Sequence, residues 1–165
     1  MGYTLTIGNA KVTSGIDYGE MWARWEVEGA THPDAPVFPH DAMTGNSNQR
    51  SPSYTAWRDL AGGTGLVKLF YGGDGEDGLL ANHPGCAPLT EAHHAEVLAA
   101  LQRRQARATK PPGFGGEGTF SHETRQWVPH PDTGRYDANL ARLLWLAWWM
   151  RWALDNCETP AFQNR

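Results

Sequence analysis

Cysteine is nearly absent: Cys86 and Cys157 are the only two in 165 residues. That excludes a disulfide scaffold and fits a reducing compartment. Charge is scarce as well, at 19% of residues against about 25% in an average soluble domain. The formal net charge of −4 excludes a broad basic surface, so no nucleic-acid polymer is expected as a partner. No apolar run reaches the roughly 20 residues of a membrane span, because the longest is interrupted by Arg142 and Arg151. The N-terminus lacks a charged-then-apolar leader pattern, and the expectation is a cytoplasmic chain with no membrane partner. Walker-type lysine loops, G-x-G-x-x-G and G-x-S-x-G are all missing, as are internal repeats. No cofactor is implied.

What is present is glycine (19), proline (11) and tryptophan (8), with 40% hydrophobic residues. The apolar content argues for a folded chain despite the glycine and proline. The length suits a single domain over 1–165. Leu5 and Ile7 alternate with Thr4 and Thr6, and Met21, Ala23, Trp25 and Val27 alternate with Trp22, Arg24, Glu26 and Glu28. Both are strand periods with one buried face, and the short connection predicts an antiparallel pair. Pro33, Pro36 and Pro39 make 30–52 a long irregular segment. Ser51-Pro52 predicts a helix start, with the helix running to Leu60 and stopped by Gly62, Gly63 and Gly65. Leu66–Tyr71 is strand or helical turn, and 72–88 is turn-rich. Thr90 predicts the cap of a helix to Ala108, and Asp137 the cap of another over Ala138–Asn156. The Gly- and Pro-rich stretch 109–136 is expected as a flexible insertion. The fold class is therefore α+β: an N-terminal antiparallel β-hairpin packed on a small helical bundle with a long Trp-rich C-terminal helix.

Trp145, Trp148, Trp149 and Trp152 fall within an arc of about 100° on that last helix. Leu140, Leu143, Leu144, Ala147, Met150 and Leu154 cover much of the opposite side, and Arg142 borders Trp145 and Trp149. A helix apolar nearly all round is buried. Three roles stay open for the tryptophan side: core, subunit interface, or ligand wall with Arg142 taking an anionic group. So many tryptophans on a short chain point to a homo-oligomer.

The segment Thr44–Trp57 is dense in hydrogen-bonding groups and opens onto a helix start. Free amides near Ser53, with the helix dipole behind them, suit an anion. Arg50 offers a bidentate fork. Asn46 and Asn48 offer polar edges, and Tyr54 and Trp57, one turn apart, offer an aromatic wall with Arg58 nearby. The plainer reading of the same residues is that the asparagines form turns and Ser51 caps. The expected ligand-binding set is Asn46, Asn48, Arg50, Ser53, Tyr54, Trp57, Arg58, Arg142, Trp145 and Trp149.

Two other chemistries have weaker support. His83 and Cys86, with His93 or His94, carry zinc-ligand types, but no second paired motif accompanies them. His93 and Glu96 share a helix face. His32, Asp34, His40 and Asp41 on the long loop offer groups for acid–base or phosphodiester chemistry.

Thr44–Trp57, His83–Thr90 and Asp137–Glu158 resemble stretches of a family of small proteins encoded by tailed bacteriophages and prophages. The resemblance covers most of the chain except 109–136. It implies a setting, the cytoplasm of an infected bacterial host, rather than a chemistry. By analogy it suggests an anti-defence accessory protein. The leading expectation is a protein that sequesters a nucleotide-derived, anionic, ring-bearing immune signal of the host. The alternatives are a hydrolase or phosphodiesterase cleaving such a molecule, and a structural or protein-inhibiting phage component docking through its tryptophans.

Overall fold

The computed structural model describes residues 2–12, 25–81, 83–115, 119–128, 131–132 and 134–165. Strand β1 (Leu5–Val12) pairs antiparallel with β2 (Trp25–Val27), Ala10 facing Val27. The hairpin read from the alternation is therefore present. Its residues 21–24 lie outside the described part. Trp25 is 43% exposed, against the expectation of burial beside Val27. Among the described residues, Val27 of this edge strand packs in a small cluster with Ala10 and Ala161, with Cys86 beside it.

The sheet is larger than a hairpin. Its order is β2-β1-β7-β4, with β3 (Gln49–Arg50) also pairing with β1. Strand β4 (Gly85–Pro88) forms within the turn-rich stretch, and β7 (Pro160–Asn164) follows the last helix. Every pairing is antiparallel. Strand β7 lies between β1 and β4, with Phe162 fully buried.

Helix α1 (Tyr54–Thr64) starts later than expected. Its N-cap is Ser53, whose hydroxyl accepts from the Ala56 amide at 3.2 Å, rather than Ser51. The helix continues through Gly62 and Gly63 and ends at Gly65, which takes the left-handed conformation (φ 78°) that closes a helix most readily when no Cβ is present. Leu66–Tyr71 resolves as a short helix, α2 (Val67–Tyr71). Helix α3 (Glu91–Arg107) is capped by Thr90, and α4 (Ala138–Asn156) by Asp137, both as the sequence signals indicate. Within 109–136 a separate hairpin forms from β5 (Thr119–Ser121) and β6 (Gln126–Val128). Residues 111–115 are tied to the start of α4: the Asp137 amide donates to the Pro111 carbonyl at 2.8 Å.

Helix α4 packs against β1 and β7 and also against α3. Its two apolar sides follow from that position between layers. One core runs through the molecule, joining Leu5, Ile7 and Phe162 of the sheet to Leu60, Phe70, Val97, Leu143 and Leu146 of the four helices. Among the described residues no helix is long and apolar enough to cross a membrane.

Candidate functional site

A cavity of about 570 Å³ lies where the 40–52 loop, the start of α1, Phe114–Gly115 and the first turns of α4 meet. Its wall is built on Arg50. Two successive turns fold residues 41–47 back on themselves, with the Gly45 amide donating to the Asp41 carbonyl at 2.9 Å and Ser47 to Thr44 at 3.1 Å. The Arg50 guanidinium lies beneath them. It donates to the carbonyls of Gly45 (3.0 Å), Gln49 (2.9 Å) and Ser47 (3.4 Å). It also forms an ion pair with Asp41 at 2.7 Å, outside hydrogen-bond geometry. It lies over the rings of Phe114 and Trp145, 5.1 and 5.4 Å from their centres. Trp145 also donates to the Ser47 carbonyl at 3.1 Å. Helix, loop and strand thus converge on one buried cation.

That arrangement changes the role expected of Arg50. Its Nη atoms are committed to the loop carbonyls and Asp41, so it organises the loop rather than offering a free fork to a phosphate. Burial raises the Asp41 carboxyl above its usual range, against the lowering by Thr44 and Arg50. Burial also lowers Arg50, opposed by Asp41.

Four of the expected residues, Arg50, Trp57, Arg142 and Trp145, meet at this cavity, and His40, Asp41, Met43, Thr44, Ser51, Pro52, Phe114 and Gly115 complete its lining. Arg142 is almost fully buried, one Nη donating to Asn139 at 3.0 Å. His40 lies 3.3 Å from Asp132 through Nε2. At Gly115 a Cβ would approach the His40 ring to 3.1 Å, so this wall is close-fitting.

The other expected residues sit elsewhere. Asn48 is fully buried, its amide donating to the carbonyls of Ile7 and Glu28 and accepting from the Ala30 amide, each at 2.8 Å. It holds the loop to the sheet and has nothing left for a ligand. Asn46 is a turn residue whose carbonyl accepts from His32 at 3.2 Å. Ser53 caps α1, and the preceding carbonyl of Pro52 is taken by the Tyr3 amide at 3.0 Å. Tyr54 packs edge-on against Tyr3, ring centres 4.6 Å apart, with its hydroxyl 3.5 Å from His83. It and the exposed Arg58 do not line the cavity. Positions 54 and 57 are separated by about 60° around the helix. Trp57 turns inward onto Phe70 at 5.0 Å, and Tyr54 stays at the surface. Trp149 is core, with half-buried Trp148 and Trp152 packed edge-on against it at 4.7 and 5.1 Å. The tryptophan stripe therefore divides: Trp145 walls the cavity and Trp149 fills the interior.

The metal-type residues are engaged separately. His83 Nδ1 is 2.5 Å from the Asn164 side chain, and His94 Nε2 is 3.1 Å from the Ala147 carbonyl. His93 completes the Thr90 capping box. Cys86 donates to the Trp25 carbonyl at 3.2 Å, and burial pushes its thiol up to about 11. Among the described residues no group of three or more His, Cys, Asp or Glu is placed to hold a metal ion. The His32 ring packs at a tilt against Trp148, centres 5.1 Å apart, and its Nδ1 accepts from the Asp34 amide at 3.2 Å, so this pair is away from the cavity.

Sequence reasoning missed Phe114, Gly115 and Met43. Phe114 lies inside a Pro- and Gly-rich stretch with no periodicity, so no local signal marks its inward ring. Compared with family models, with curated proteins and with solved structures, the chain matches none.

Proposed function

We propose that this protein binds and sequesters a small, anionic, ring-bearing molecule of the nucleotide-derived class in the cavity beside Arg50. One observation carries the reading. Among the described residues only four buried side-chain polar atoms lack a hydrogen-bond partner, and Asp41 Oδ2, Arg50 Nε and Trp57 Nε1 all belong to residues that line this one cavity. Folded proteins leave few such atoms, and each costs about 1–3 kcal/mol. Asp41 Oδ2 is held in the ion pair with Arg50; the two donors, Arg50 Nε and Trp57 Nε1, complement the acceptors of a heterocyclic ring, and Trp57, Trp145 and Phe114 supply faces for it. The volume lies within the roughly 300–1,000 Å³ of small-molecule sites. Arg142 supplies the cation for the anionic group.

The resemblance in Thr44–Trp57, His83–Thr90 and Asp137–Glu158 supports a setting in the cytoplasm of an infected bacterial host, with the ligand an immune signal. Among the described tryptophan side chains, the half-buried Trp148 and Trp152 and the exposed Trp25 support a homo-oligomer, because Trp57, Trp145 and Trp149 are buried within one chain. Light scattering in solution reads that directly.

Isothermal titration with a panel of cyclic and ADP-ribose-type nucleotides is the test. Heat of binding is expected with at least one of them, weakened about tenfold or more by Trp57→Phe, which removes the unpaired N–H. No heat with any of the panel would sink the proposal. Hydrolysis is a second reading, favoured by His40 and Asp41 on the same wall with Asp132 beside His40. Chromatography of the ligand after incubation separates the two, since intact recovery excludes cleavage.

A further inference from the structure

The aromatic cavity has a neighbour. A second cavity of about 510 Å³ shares Arg142 and Gly115 with it. Its chemistry is different: Arg104, Arg107 and Lys110 line it with Asp59 and Asp137. Two of these charges cancel. Arg104 forks onto Asp137, Nε to Oδ2 at 2.8 Å and Nη2 to Oδ1 at 3.0 Å. Asp137 also accepts from the Leu140 amide at 2.9 Å. What remains is Arg107 and Lys110 against Asp59. Arg107 and Lys110 have no hydrogen-bond or ion-pair partner among the described residues. In a chain of net charge −4, this local excess of positive charge runs against the average. The positive end of the 19-residue α4 adds to it through Ala138 and Asn139 on the same wall.

We propose that the ligand is elongated and carries a multiply charged tail. Its ring occupies the aromatic cavity, and a di- or triphosphate-type tail passes Arg142 to reach Arg107 and Lys110. The inference rests on the ring-binding reading of the first cavity and names the ligand class more narrowly. Arg142 links the two compartments as the one cation on both walls. A tail with two or more charges uses Arg107 and Lys110, and a nucleoside or a singly charged cyclic mononucleotide leaves those two without a partner.

The test titrates the intact protein with nucleosides and their mono-, di- and triphosphates, in purine and pyrimidine series, and with inorganic tripolyphosphate alone. Affinity is expected to rise about tenfold or more from mono- to triphosphate. The double substitution Arg107→Ala with Lys110→Ala should cost about tenfold for the triphosphate and much less for the monophosphate. Both side chains are exposed, so the fold should survive, and circular dichroism checks it. Equal affinity for mono- and triphosphate, unmoved by the double substitution, overturns the elongated ligand and leaves ring binding standing. Tripolyphosphate binding that depends on Arg107 and Lys110, with no response to any nucleoside or nucleotide, overturns the ring reading and with it the spanning ligand. Binding of nothing in the panel overturns both.

Discussion

Asn46 and Asn48 stand two positions apart in the same polar loop, and nothing in their local sequence separates them. Asn48 is fully buried and makes three hydrogen bonds to backbone groups of β1 and the 28–30 segment. The Asn46 side chain makes none among the described residues. Asn48→Ala therefore leaves two carbonyls and one amide short of a partner, at a cost of about 2–4 kcal/mol in urea unfolding. Asn46→Ala is expected within about 0.5 kcal/mol of the unsubstituted protein in the same assay. Arg50 carries the same lesson with opposite surface appearance. A lone arginine in a loop reads as a ligand fork, and here its Nη atoms serve three carbonyls and Asp41. The identity of the residue was legible, but its partners depend on how the loop folds over it.

At the scale of elements, the long helices follow their local signals. Thr90 and Asp137 cap α3 and α4, because short polar side chains satisfy the free amides of a first turn. Asp137 carries a second duty in its pairing with Arg104. Burial raises its carboxyl, but the hydrogen bond from Arg104 and the amides of α4 outweigh it and hold the group below its ordinary 3.8. Its contribution is therefore complete above that pH and is lost as pH falls through the lower folded value. Asp137→Asn keeps a capping oxygen and removes the charge. The substitution should cost about 0.5–1 kcal/mol at neutral pH, a value limited by the partly exposed Arg104. The difference between the two proteins should close as the pH of the unfolding titration is lowered below 3.8. A gap that persists in acid would mean the ion pair is not its source. The short elements were less legible. Ser51 and Ser53 are both good caps on either side of Pro52, and the choice of Ser53 goes with the packing of Gly2 and Tyr3 on Pro52 and Ser53.

For the whole molecule, the last strand matters most. β7 joins β1 to β4 across the sheet and places Phe162 in the core beside Phe70, ring centres 6.1 Å apart. Phe162→Ala should cost about 3–5 kcal/mol, a large share of the 5–15 kcal/mol typical of a domain. Deleting 160–165 should abolish the cooperative thermal transition altogether. A truncated protein that melts normally would show that the sheet closes without this strand. The cavities are also properties of the whole: Arg50, Phe114 and Arg142 come from three distant parts of the chain and meet only after α4 has docked.

The sequence alone determined the α+β class, the β1–β2 pairing, and the caps and extents of α3 and α4. Each of these is written within a few neighbouring residues as periodicity or hydrogen-bonding chemistry. It also marked Arg50, Trp57, Arg142 and Trp145 as the residues to watch. Only the tertiary structure decided that β7, a five-residue strand of Pro, Ala, Phe, Gln and Asn, is interior to the sheet. It alone divided the tryptophans between core and cavity, and set an aromatic compartment beside a basic one. Those outcomes depend on which buried polar atoms find partners across long stretches of chain, and local composition does not encode that pairing.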